Sequence, residues 1–177
     1  MATPQTWCPI SNGMQSTQFA IAFLGGIIPA LFWLWFWLRE DKERPEPYLL
    51  IVLAFIAGMM VVPLVLPLQR LAIEQYDGDN LIFVWVIIEE VMKYAGALLV
   101  VLWHKAVDEP IDLIIYMITV ALGFAALENA LFIFDPIVAG DTVRTLTTGK
   151  LRFLGSTLLH VLASGTVGVF LALAFYR

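Results

Sequence analysis

The sequence predicts an all-α protein, a polytopic bundle of about five transmembrane helices with a polar site inside the bilayer. Three observations carry this expectation. Sixty per cent of the 177 residues are apolar and 14% are charged, with a mean hydropathy of +0.85. A soluble domain of this length has no core large enough to hide so much apolar side chain. Five apolar runs are long enough to cross about 30 Å of hydrocarbon, a distance that takes about 20 helical residues. The ionisable groups within those runs also fall at matching depths.

The runs lie near residues 17–38, 48–68, 81–103, 111–135 and 151–176, and read together as one integral membrane domain over 1–177. The connections are short and polar: REDKERPEP over 39–47, QRLAIEQYDGDN over 69–80, HKAVDEP over 104–110 and PIVAGDTVRTLTTGK over 136–150. Residues 1–16 lack the basic stretch of a secretory signal, so the first span is expected to be retained as an anchor. Trp33, Trp35 and Trp37, with Tyr48 opening the next span, suit an interfacial aromatic belt. Arg39, Lys42, Arg44, Lys105 and Arg177 fall on one side; Arg70, Arg144, Lys150 and Arg152 fall on the other. This bias places the N-terminus outside and the first loop in the cytoplasm.

Composition also excludes some functions. The net charge of −5 comes mostly from the connections, and the ten Lys and Arg residues form no basic cluster. Nucleic-acid binding therefore has no electrostatic footprint. The single cysteine, Cys8, rules out an internal disulfide and any Cys-rich zinc or iron–sulfur site.

The third span places Glu89, Glu90 and Lys93 in the middle of an apolar run. Each charge costs about 2.5–3.5 kcal/mol to insert, while each Leu, Ile, Val or Phe returns about 0.3–0.6 kcal/mol. The apolar residues between Leu81 and Leu102 thus recover roughly 4–8 kcal/mol against roughly 8–10 for the three charges. Alone, this helix is marginal; it needs partner helices, a wet cavity or partly neutralised carboxylates. Lys93 is spaced to reach either Glu89 (i,i+4) or Glu90 (i,i+3). The two glutamates point about 100° apart, so one can face the site while the other ties Lys93 or a neighbouring helix.

The fourth span carries Glu128 and Asn129 after small residues Gly123, Ala125 and Ala126, which permit close helix approach. The fifth carries Arg152, Ser156, His160 and Ser164 at intervals of four, one broad polar stripe. Glu89 and Glu90 lie roughly 12–14 Å into the third span, Glu128 roughly 10 Å from the same face, and His160 roughly 14 Å from it. Successive spans alternate direction, so the coincidence holds in either orientation, and the groups can meet in one layer.

Such a layer supports peptide hydrolysis, which needs an activated water, a proton donor for the leaving amine and oxyanion stabilisation. Carboxylates crowded in low dielectric cannot all ionise cheaply, so one is expected as a base and another group as an acid. Asn129 and His160 are candidates to donate to the oxyanion. The same residues also suit a metal: Glu89, Glu90, Glu128 and His160 offer ligands to zinc, with water completing the site. The residue types alone leave zinc and no cofactor both open. Ionisable residues inside a membrane point to function by default, and two other classes use the same groups: a proton- or cation-coupled transporter or channel, and a silent scaffold. There is no HExxH, no pair of intramembrane aspartates, and no serine-protease pattern around Ser164.

Glu89-Glu90-Val91-Met92-Lys93 matches an EExxK motif, and Gly123 to Asn129 match GFAxxEN. Arg152 and His160 match polar positions of a later helix, and Arg39 with Pro45-Glu46-Pro47 fits the first loop. From about residue 30 to the end, the chain resembles the PrsW family of intramembrane proteases, relatives of the CAAX-prenyl protease superfamily. The resemblance implies a prokaryotic plasma-membrane enzyme that cuts single-span membrane proteins, typically an anti-sigma factor on its extracytoplasmic side. It further implies that Glu89 or Glu90 activates the water, that Glu128 and His160 complete the site, and that Lys93, Asn129, Arg152 and Ser164 support it.

Overall fold

The computed structural model describes residues 12–39 and 46–175. Cys8, Lys42, Arg44, Pro45 and Arg177, on which parts of the sequence reading rest, lie outside the described residues. Within them the secondary structure is helical, with no strand. The helices are α1 (Asn12–Leu38), α2 (Tyr48–Ile73), α3 (Gly78–Ala97), α4 (Pro110–Val138), α5 (Thr142–Leu151) and α6 (Thr157–Ala174). A π-helical turn, Leu98–Leu102, extends α3, and another, Arg152–Ser156, joins α5 to α6.

The all-α membrane architecture is the one expected. Four stretches are long and apolar enough to cross a membrane: Ser16–Leu38, Tyr48–Ile73, Pro110–Val138 and Thr142–Ala174. The fifth expected span corresponds to α3 and its π turn, whose midsection holds Glu89, Glu90 and Lys93. Two connections differ from expectation. The 69–80 segment begins as helix, because α2 runs on to Ile73. The 136–150 segment is largely helical: α4 continues through Pro136 to Val138, and α5 starts at Thr142. Asp141 caps α5 by accepting the Arg144 backbone N–H at 2.9 Å, a stabilising arrangement the polar composition masks.

Helix α4 is the axis of the bundle, packed against α1, α2, α3 and α6. Its start is fixed by Asp112, whose carboxylate accepts the backbone N–H groups of Glu109 at 2.8 Å and Asp108 at 3.0 Å. From Tyr116 to Ala126 it is buried without interruption. Small residues set the spacing, as expected in lipid, where close van der Waals approach replaces a hydrophobic drive between helices. A Cβ at Gly58 would overlap the Val120 carbonyl, and one at Gly123 would overlap the Phe55 carbonyl, so α2 and α4 meet backbone to backbone. Gly26 stands in the same relation to the Ala126 carbonyl, and Gly168 of α6 to the Ile114 backbone.

The aromatic belt is only partly as expected. Tyr48 and Trp35 are exposed, but Trp33 turns inward, donating its indole N–H to the Phe153 carbonyl at 3.3 Å. That contact links α1 to the π turn before α6.

Candidate active site

Four helices deliver the polar groups to one place. Glu89, Glu90 and Lys93 come from α3, Glu128 and Asn129 from α4, and His160 and Ser164 from α6. Gln69 comes from α2, and Arg152 from the π turn. Lys93 is fully buried, while the side chains of Glu89, Glu128 and His160 keep 14%, 17% and 12% exposure.

The two glutamates of α3 take different partners. Glu89 faces Glu128 and His160, with one ligand atom from each of the three lying within 4.8 Å of the others. Glu90 turns away: its Oε1 receives Lys93 Nζ at 2.6 Å, and its Oε2 receives the Ser164 hydroxyl at 2.6 Å. Glu90, expected among the metal ligands, is therefore outside the converging group and binds α3 to α6 instead.

His160 sits between two partners. Its Nε2 lies 3.1 Å from Glu128 Oε2, and its Nδ1 lies 2.9 Å from Lys93 Nζ. Both ring nitrogens are thus within hydrogen-bond reach of a neighbour, and either can be the one that carries the proton. Lys93 is also 3.8 Å from Glu89 and 4.4 Å from the centre of the Phe124 ring. That ring meets the imidazole edge-on, with centroids 5.2 Å apart. Phe124, part of the Gly123–Asn129 motif, thus forms the apolar wall of the site.

Glu128 is gripped from its outer side by Arg152, which forms an ion pair with it. Arg152 Nε also donates to Asn129 Oδ1 at 2.6 Å, and its terminal nitrogen donates to Ser156 Oγ at 3.1 Å. Asn129 then donates through Nδ2 to Thr157 Oγ1 at 3.1 Å, and Thr157 donates to the Arg152 carbonyl at 2.8 Å. The expected oxyanion role for Asn129 is therefore not supported: its buried amide is committed on both sides to this lock. Thr157 and Gln69 are contributors that the sequence reading missed. Gln69 donates to Glu89 Oε1 at 2.9 Å.

An apolar cleft of about 190 Å³ lies elsewhere, between the end of α1 and the start of α4. Its one hydroxyl, on Thr119, donates to the Ile115 carbonyl. Shape and charge disagree here, and the charged cluster is the better candidate because hydrolysis requires proton donors and acceptors. The donor chemistry of Glu89, Glu128 and His160 fits a metal: two carboxylate oxygens and one imidazole nitrogen make three ligands and leave a position for water.

These features define a class: a polytopic membrane protein with a carboxylate–histidine site enclosed by its helices. A family model described as PrsW family intramembrane metalloprotease matches residues 46–177. The chain belongs to the PrsW family, and it is an integral membrane protein. It is similar to the Protease PrsW of Clostridioides difficile strain 630, 29% identical over 158 residues, covering 85% of this chain and 64% of that one. It is also similar to the Protease PrsW of Bacillus subtilis strain 168, 30% identical over 133 residues, covering 73% and 61%. The Protease PrsW of Oceanobacillus iheyensis is 31% identical over 112 residues, covering 61% and 52%. The chain thus spans about half to two thirds of the length of the curated relatives it matches. No solved structure matches it significantly.

Proposed function

We propose that this chain is an intramembrane endopeptidase that hydrolyses a peptide bond in a single-span membrane protein. The observation that carries the reading is the convergence of Glu89, Glu128 and His160 from three helices, within 4.8 Å, inside an apolar bundle. In this reading Glu89, Glu128 and His160 hold a divalent metal, with zinc the ion their chemistry suits. Such an ion, when bound, polarises a carbonyl and makes water a stronger acid.

The chain's own residues supply the rest. A carboxylate of the group, through an oxygen not bound to the ion, takes the proton from the attacking water and passes it to the leaving amine. Lys93 and Arg152 carry positive charge on either side of the group and offset the negative charge of its carboxylates. Phe124 keeps water from the buried side and strengthens those interactions by lowering the local dielectric. The family resemblance favours a membrane-anchored regulator such as an anti-sigma factor as substrate, cut on its extracytoplasmic side.

The test is co-expression with tagged single-span proteins. Wild type should release a fragment that the Glu89→Gln, Glu128→Gln double variant does not. A chelator should abolish cleavage by the purified protein, and added zinc should restore it. Undiminished cleavage by a folded, inserted double variant would sink the carboxylate reading.

A further inference from the structure

Helix α2 carries none of the family motifs but reaches the site. Gln69 lies two residues beyond Pro67 on a helix that is otherwise almost wholly apolar, and it is half-buried. Two residues of α3, one turn apart, hold it. The Trp85 indole N–H donates to the Gln69 backbone carbonyl at 3.3 Å, and the Gln69 amide donates to Glu89 Oε1 at 2.9 Å. The backbone pin fixes where the amide starts, and the amide fixes one oxygen of the carboxylate. The other oxygen, Oε2, is left facing Lys93 and His160 Nδ1, each at 3.8 Å.

We propose that Gln69 is a positioning residue that holds Glu89 as a one-oxygen ligand, with Oε1 tied to α2 and Oε2 directed at the group shared with Glu128 and His160. The inference rests on the metal-binding reading of that group. Carboxylates bind metals through one oxygen or both, and a hydrogen bond to one oxygen biases that choice and orients the carboxylate plane. Outer hydrogen bonds of this kind typically contribute 10–100-fold in metal affinity. The competing view is that the amide merely glues α2 to α3, as polar groups between membrane helices commonly do.

The two views separate in zinc binding by the purified full chain, measured by competition with a chelator, alongside thermal unfolding of the metal-free protein. Gln69→Leu keeps the bulk and removes the donor. It should weaken zinc binding about 10–100-fold with little change in unfolding temperature. In a Glu89→Gln background the same substitution should add less than about twofold, the non-additivity expected of residues acting through one contact. Equal losses in both backgrounds, or lowered stability with unchanged zinc affinity, would overturn the proposal. If Gln69→Leu does not fold, Gln69→Asn retains an amide one methylene too short to reach Glu89, and the same outcomes apply. A wild-type protein that binds no zinc would overturn both this inference and the metal reading beneath it. Unaltered binding by the Gln69 variant would overturn this inference alone.

Discussion

Glu89 and Glu90 are neighbours in the chain but not in chemistry. Glu89 joins Glu128 and His160, whereas Glu90 is occupied on both oxygens, by Lys93 and Ser164. Glu89→Gln should therefore lower cleavage by more than about 100-fold, because it removes a carboxylate of the converging group itself and not one that only supports it. Glu90→Gln should lower it by about 10–100-fold, because it acts by holding other residues in place. Rates of substrate cleavage by matched amounts of folded protein decide the matter, and the reverse ranking would put Glu90 at the reacting centre. The 100° offset between consecutive helical residues made it legible that one glutamate could face the site while the other tied Lys93 or a neighbouring helix. Which one was not legible, because that depends on where Ser164 and Gln69 arrive from other helices. Asn129 was misjudged for a related reason: an amide reads as a donor until both of its ends are seen to be engaged.

Among the helices, the α2–α4 contact is the most exacting. Gly58 and Gly123 leave no room for a side chain because the atoms they would meet are backbone carbonyls, which cannot swing aside. Gly123→Ala should cost about 1–3 kcal/mol or more in stability, the range for overpacking a tight core, and lower the unfolding temperature in detergent. Gly155→Ala is the control, since nothing lies within 4 Å of a Cβ there; an equal effect of both substitutions would refute the close-packing argument. Helix α5 was hidden in the sequence by its threonines, which are poor helix formers, and by a length of 10 residues. Asp141 before it, after Gly140 at φ +69°, was the signal available. Gln69 was hidden because polar residues at the end of an apolar run look like the start of a loop, although the helix continues for another turn.

For the molecule as a whole, the depth of the charged groups was the most informative feature of the sequence. Alternating spans must bring groups at equal depth to a common layer, and Lys93, Glu128 and His160 do meet in one. Topology follows from the same alternation: the connection at Lys105 and the one at Asp141 lie at opposite ends of α4. In a Cys8→Ser background, Asp141→Cys should react with a membrane-impermeant maleimide in intact cells, and Lys105→Cys only after permeabilisation. The opposite pattern would invert the orientation expected from the loop charges. The placement of the charges on α3 also has a consequence for biosynthesis. His160 follows Lys93 by 67 residues, so at roughly 5–20 residues per second the ribosome delivers it roughly 3–13 s later. During that interval α6 is not yet available to α3, but Glu90 and Lys93 are three residues apart on one turn, a spacing at which an ion pair needs no second helix. The pair that steadies the finished site is thus one that the helix carries within itself, a counter-charge that does not depend on the rest of the protein having been made.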